Sequence, residues 1–222
     1  MDELIEYAPD LLAGFAENLK LSAVCGVLSL IFGTILVGIR VSPTPVLRAA
    51  GTTYVNIARN TPLTLVLAFS SLGLSDQIGL VFSDEPSTNG FWLVVLGLTA
   101  YTSTFVCEAL RAGINTVPFG QAEAARAIGL TFLQSLSMII LPQAFRAVIA
   151  PLGNVMIAMI KNTTVAIAAG YLADVAFVMK DTFDTTGVSI PIFLGIVVAF
   201  MVVVLPIGFL TGWLAKRLAV AR

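Results

Sequence analysis

Histidine is absent from this 222-residue chain. That removes the imidazole of a Ser-His or Cys-His nucleophile and any His-based metal site. Cysteine occurs only as Cys25 and Cys107. Both fall inside long apolar runs, far apart in sequence, and read as reduced packing residues. No G-x-x-x-x-G-K-[ST] segment is present, so the chain has no P-loop to cradle nucleotide phosphates, and energy from ATP would have to come from a partner. Charge is scarce: 11% of residues are charged, against about 25% in soluble domains. Met1 to Glu17 carries Asp2, Glu3, Glu6, Asp10 and Glu17 without one Lys or Arg. A secretory signal needs a basic start, so this segment reads as mature sequence. No low-complexity linker and no matching halves interrupt the chain, and a single transmembrane domain over 1–222 is the expectation.

What remains is grease in long runs. Mean hydropathy is +0.96 and 58% of residues are hydrophobic. A helix needs about 20 apolar residues to cross a bilayer. Five spans are expected: Leu21–Ile39, about Tyr54–Leu74 with a kink at Pro62, Trp92–Ile114, about Arg146–Ala166, and a last one within Thr185–Ala215. A second short amphipathic helix with a turn near Pro142 should precede the fourth span, and Asn162–Ala173 should form a broken or re-entrant piece. Five spans put the termini on opposite sides. Arg40, Arg48, Arg111, Arg126, Lys216, Arg217 and Arg222 share one side if the C-terminus is cytoplasmic, as positive residues prefer. The acidic N-terminus and the Asp76–Glu85 loop then face outward. Glu108 and Arg111, spaced i, i+3, can form a local pair at the end of the third span.

Between the third and fourth spans lies a short polar helix. Pro118 and Gly120 end the preceding run, Gln121–Ile128 holds strong helix formers, and Gly129 sits where a left-handed cap belongs. Ala122, Ala125 and Ile128 recur on one small-residue face suited to close docking, with Glu123 and Arg126 beside it as an i, i+3 pair. Glu123-Ala124-Ala125, Gly129, and then Ile139, Leu141 and Pro142 together resemble the cytoplasmic-loop motif of membrane-spanning subunits of ATP-binding cassette importers. Arg59, Thr61 and Pro62 within Tyr54–Leu65 resemble the R-x-T-P-L segment of the polar amino-acid uptake branch. Glu108, Arg111, Val117, Pro118, Gly120 and Gln121 match that branch's pattern before the loop, and Gln143, Arg146, Pro151, Asn154, Lys161 and Thr163 match its pattern after the loop. The resemblance spans roughly residues 54–165.

The resemblance implies an all-α permease of the type I importer class, multi-pass in the plasma membrane, with a cytoplasmic coupling helix and no catalysis of its own. It implies ATPase coupling through Glu123, Ala124, Ala125, Gly129, Leu141 and Pro142. Expected partners are an ATPase dimer that hydrolyses the ATP, a second permease subunit, identical or homologous, and an extracytoplasmic solute-binding protein; no cofactor and no nucleic acid are expected on this chain. The cargo would be a polar amino acid of the glutamate, glutamine, histidine or arginine type, glutamate foremost. A zwitterion crossing the bilayer needs fixed polar groups. Asn154, Lys161, Asn162, Thr163 and Thr164 form the densest such cluster, in which Lys161 could meet a carboxylate, with Arg59 and Arg146 as other cations. A cap at the end of the fourth span, with Lys161 snorkelling, competes with that reading. The rival function is a self-contained secondary transporter or small channel. That would want inverted repeats or intramembrane carboxylates. The topology is testable: a cysteine placed in the Asp84–Asn89 loop should react with a membrane-impermeant thiol reagent in intact cells, and one at Gln121 should not. Labelling in the opposite sense would overturn the orientation.

Overall fold

The computed structural model describes residues 2–218, and every regular element among them is helical. One-turn α1 (Asp2–Glu6) leads into α2 (Ala8–Arg40), α3 (Pro45–Asn60) and α4 (Leu63–Ala68), which a π-helical stretch continues to Ser75. Then come α5 (Pro86–Ile114), α6 (Phe119–Ala127) and α7 (Phe132–Ser135). A second π-helical stretch, Leu136–Ile140, joins α7 to α8 (Leu141–Ala147). The chain closes with α9 (Ile149–Asn162), extended as a 3₁₀ helix to Ala169, α10 (Val175–Thr186) and α11 (Ile190–Leu218). Helices suit this composition because lipid offers no partner for a backbone N–H or C=O.

Four helices are long and apolar enough to cross a membrane: α2, α5, α9 with its 3₁₀ extension, and α11. The expected second span is instead two pieces. Thr61 is extended (φ −91°, ψ 134°) ahead of Pro62, which has no N–H to donate and clashes with the preceding turn, so the helix breaks there rather than kinking. Asn60 Nδ2 and Thr61 Oγ1 donate to the Asn56 and Ile57 carbonyls in the last turn before the break, at 2.7 and 2.8 Å. The apolar piece after the break, Leu63–Ser75, is shorter than a full span. The expected turn near Pro142 is also absent. Chain direction changes at Val148 (φ −118°, ψ 19°), while helix runs unbroken from Phe132 to Ala147. The wider π turn just before it absorbs Pro142, and Gln143 Nε2 donates to the Ile139 carbonyl at 2.8 Å. Of the two forms expected for Asn162–Ala173, the structure has the broken one: the helix tightens to 3₁₀ over Thr163–Ala169 and stops at Gly170 in the left-handed region (φ 73°). Arg222 lies outside the described residues.

The bundle is built on α2 and α5, which run parallel. Their contact seam includes small residues: Cys25 on α2 meets Thr99 on α5, and Gly33 meets Ser103 and Val106, while Gly26 faces Met156 and Met159 of α9. At Gly33 the backbones come so close that a Cβ would sit 2.5 Å from Val106 Cβ. Small residues are the usual means of close helix packing in lipid, where the hydrophobic effect gives no drive. Both free cysteines are buried there, as packing residues. α9 crosses back and α11 antiparallel to it, with Gly153 facing Thr211 and Gly208 facing Ile157.

At the acidic end a buried polar knot ties three segments together. Asn18 of α2 donates from Nδ2 to Thr163 Oγ1 at 3.0 Å, and its Oδ1 accepts the Val175 N–H at 2.9 Å. Beside it Asp174 caps α10 by accepting the Phe177 N–H at 3.1 Å, while its Oδ2 has no hydrogen-bond partner. Tyr171 donates to Glu17 Oε2 at 2.9 Å, and Glu17 also pairs with Lys20. Burial pushes the Asp174 carboxyl up to about 6, against an ordinary 3.8. The native state thus holds this proton more tightly than the unfolded chain does. The stability it contributes is complete at low pH and lost as pH rises through about 6. Asp174→Asn keeps a good cap and removes the titration. Its melting temperature relative to the parent should therefore rise from about pH 4 to about pH 6 and level off above about pH 7; a gap that does not move with pH would show that Asp174 does not titrate in this range.

Candidate functional site

The coupling-loop candidate is a rigid corner built by two caps. α6 ends in a Schellman motif: the Leu130 N–H bonds the Ala125 carbonyl and the Gly129 N–H the Arg126 carbonyl, both at 3.0 Å, with Gly129 at φ 85°. Two residues later Thr131 opens α7 with a capping box, in which Thr131 N–H meets Gln134 Oε1 at 2.9 Å and Gln134 N–H meets Thr131 Oγ1 at 3.3 Å. The T-x-x-Q spacing is the signal in the sequence that could have announced this second cap. Of the coupling candidates, Glu123 and Ala124 are exposed, Ala125 is buried, Gly129 stands in open space, and Leu141 and Pro142 start α8 behind the corner.

Two details of the expected docking face change. The small-residue face is split: Ala125 is 1% exposed and turned inward where α6 packs on the Leu136–Ile140 stretch, Ala122 is half-buried, and Ile128 is exposed. Small side chains do permit close approach, but the surface they approach is the chain's own. Glu123 and Arg126 form no ion pair with each other; both are exposed and unpaired among the described residues.

The expected polar cluster divides three ways. Asn154 and Asn162 share a groove of about 320 Å³ with Tyr101, Thr102 and Phe105 of α5. Lys161 and Thr164 line a different groove, about 580 Å³, against Val175, Phe193, Phe200 and Val204. On α9 these two sets fall on opposite flanks, and α11 packs beside the second, which draws the long Lys161 stem that way. Thr163 is fully buried, committed to Asn18 and to the Ile160 carbonyl. Arg59 is elsewhere: it lies 3.6 Å from Glu108, whose carboxylate is held chiefly by buried Arg40 at 2.6 Å, with Arg111 at 3.9 Å. The local Glu108–Arg111 pair is thus the weakest edge of a three-arginine hub that joins α2, α3 and α5. Arg146 is exposed on α8.

The seven-residue spacing that puts Asn154 and Lys161 on about the same helix face links the two grooves. Pro151, Asn154, Ala158 and Lys161 are all exposed, and their i, i+3, i+7, i+10 spacing makes one continuous stripe along α9. Lys161 shares its groove with Val204, the central residue of α11. By sequence it lies near the middle of the Ile149–Ala169 span, with seven further helical residues beyond Asn162. Among the described residues Lys161 has no ion-pair partner. A lipid-facing stripe would be apolar, whereas intramembrane polar and charged side chains face a protein partner or an aqueous path.

The sequence of residues 27–220 matches the family described as binding-protein-dependent transport system inner membrane component. The chain belongs to this family. It is 46% identical over 223 residues to the glutamate transport system permease protein GluC of Corynebacterium glutamicum, covering 98% of this chain and 97% of the relative. It is 34% identical to the probable glutamine ABC transporter permease protein GlnM of Bacillus subtilis, covering 92% of this chain and 91% of that one. A solved amino acid ABC transporter, crystallised with histidines, superposes with a TM-score of 0.78 at 26% identity over 97% of both chains. The permease is thus a multi-pass plasma-membrane subunit of an ATP-binding cassette importer and not itself an enzyme, which sets aside the secondary-transporter and channel readings.

In the permease the corner at Gly129 is strained for any other residue. Its surroundings are empty, so the cost of Gly129→Val is conformational, about 1–2 kcal/mol or more for a β-branched residue. Gly129→Val should leave the purified protein folded while abolishing most substrate-stimulated ATP hydrolysis in the reconstituted importer, as should Glu123→Lys. Stimulation that stays at the parent level in both variants would remove this corner from the coupling path.

Proposed function

We propose that the chain forms one half of the translocation path for an acidic amino acid, glutamate first, and that the α9 stripe lines that path. The carrying observation is an unpaired lysine near the middle of the Ile149–Ala169 span, on an exposed polar stripe. Lys161 would meet a substrate carboxylate, and Asn154 and Asn162 would exchange hydrogen bonds with the remaining polar groups as water is shed. The likeness to a glutamate permease over nearly the full length supports the choice of cargo.

On this reading the stripe is covered in the working importer by a second permease subunit. An ATPase dimer docks at the α6 corner and hydrolyses the ATP, an extracytoplasmic binding protein delivers substrate, and this chain binds no cofactor. The single transmembrane unit would cross five times, α3 and α4 together forming the second pass, with the acidic end outward. Supporting this, Asp10, Glu17 and Asp181 gather at one groove at the start of α2, while Arg40, Arg111 and Lys216 lie at the other ends of their helices.

The test is uptake into proteoliposomes holding the complete importer. Lys161→Met keeps the apolar stem, and Asn162→Leu keeps the volume. Both should cut glutamate uptake at least tenfold with ATPase assembly intact. Glutamine should compete weakly with glutamate in the parent. Unchanged rate and affinity in Lys161→Met would take Lys161 out of the path, and preference for glutamine would reassign the cargo.

A further inference from the structure

α6 presents a feature that neither its motif nor the relatives' names account for: Phe119, at the first position of the helix, is 90% exposed. A phenylalanine left in water forfeits the burial free energy of a large apolar side chain, and one this bare on a polar nine-residue helix is free to enter a partner's pocket. Phe119, Glu123 and Arg126 recur at i, i+4, i+7, within an arc of about 60° on the helix surface. All three are exposed, and neither charge is paired within the described residues. Ala125, on the opposite side, is sealed against the chain itself. The outward stripe is therefore one aromatic side chain followed by one acid and one base.

We propose that Phe119 is the aromatic anchor of the ATPase interface, entering an apolar pocket on that subunit whose rim carries a cation for Glu123 and an anion for Arg126. The inference rests on the coupling reading of α6 and adds to it the residue that provides most of the affinity. Interface energy concentrates in a few aromatic or arginine side chains buried in a partner's pocket, and the surrounding charges set orientation more than strength. The competing occupant is the lipid surface. The stripe disfavours it, because rotating Phe119 into the bilayer would drag Glu123 and Arg126 along the same face into the headgroup boundary and below. A protein pocket takes all three at once.

The experiment uses the purified full-length permease in nanodiscs, titrated with the ATPase subunit. Phe119 touches little of its own chain, so Phe119→Ala should melt with the parent yet bind the ATPase at least tenfold more weakly. Leu12→Ala, at an exposed apolar residue near the start of α2, should bind as the parent does. In Phe119→Cys carrying an environment-sensitive fluorophore, emission should shift to the blue only when the ATPase is added. Equal affinity in Phe119→Ala would overturn the anchor while leaving the coupling reading intact. A blue shift in nanodiscs before any ATPase is added would assign Phe119 to the membrane surface instead. No binding by the parent itself would refute the coupling reading and the anchor with it.

Discussion

The close parallel contact of α2 with α5 is the constraint on which the other placements depend, because in lipid nothing but packing and polar pairing holds two apolar helices together. Gly33 against Val106 sets the distance, and any larger residue there would wedge the pair apart. Two polar devices then fix rotation and height at the two ends. At one end Asn18 reaches Thr163 and the Val175 backbone, and at the other Arg40 reaches Glu108. Neither device is inexpensive. Arg40 Nε and Asp174 Oδ2 remain buried without a partner, and unpaired buried polar atoms cost roughly 1–3 kcal/mol each. Such groups specify a geometry more than they add stability.

With α2 and α5 sealed against each other, α9 and α11 are left to finish the bundle, and they finish it on one side only. α11 is largely bare, its apolar surface facing outward along nearly its whole length. That is what lipid asks of a helix. α9 is different: its bare stripe carries Asn154 and Lys161 within the span, where lipid is least forgiving. A lone chain with such a stripe is incomplete in a membrane, which is the physical reason a second membrane subunit is needed at all.

Local chemistry was legible in the sequence wherever one residue type decides the backbone. Gly129 at positive φ, the helix limits around Pro118, and long uncharged runs as crossing helices all derive from single residues or composition. The failures have a common cause. Pro62 and Pro142 look alike in sequence, yet one breaks a helix and the other is absorbed, and the difference lies in a π turn that only the backbone shows. Glu108 looked like a partner for Arg111 because they are near in sequence; Arg40, 68 residues away, reaches it more closely. The polar cluster of 154–164 read as one site because periodicity places residues on a helix but says nothing of what packs beside each flank. Ala125 and Ile128 share a face by periodicity, and only the fold shows that Ala125 is sealed while Ile128 is bare.

Placed in order, the elements between the corner and the stripe form one continuous lever. The Schellman cap fuses α6 to Thr131, the capping box fuses Thr131 to α7, and helix then runs without a break through Pro142 to Ala147. Along that length there is no soft joint. Past Thr131 the first residue outside helical geometry is Val148, and immediately beyond it begins α9. α8 bears on α5 at Gly113, where a Cβ would lie 2.7 Å from the Ala144 carbonyl, so the lever has a close bearing surface near its far end. On the coupling reading, a displacement applied at Glu123 would be passed along this helix to the Gly113 contact and the bend at Val148, next to the helix that carries Asn154 and Lys161.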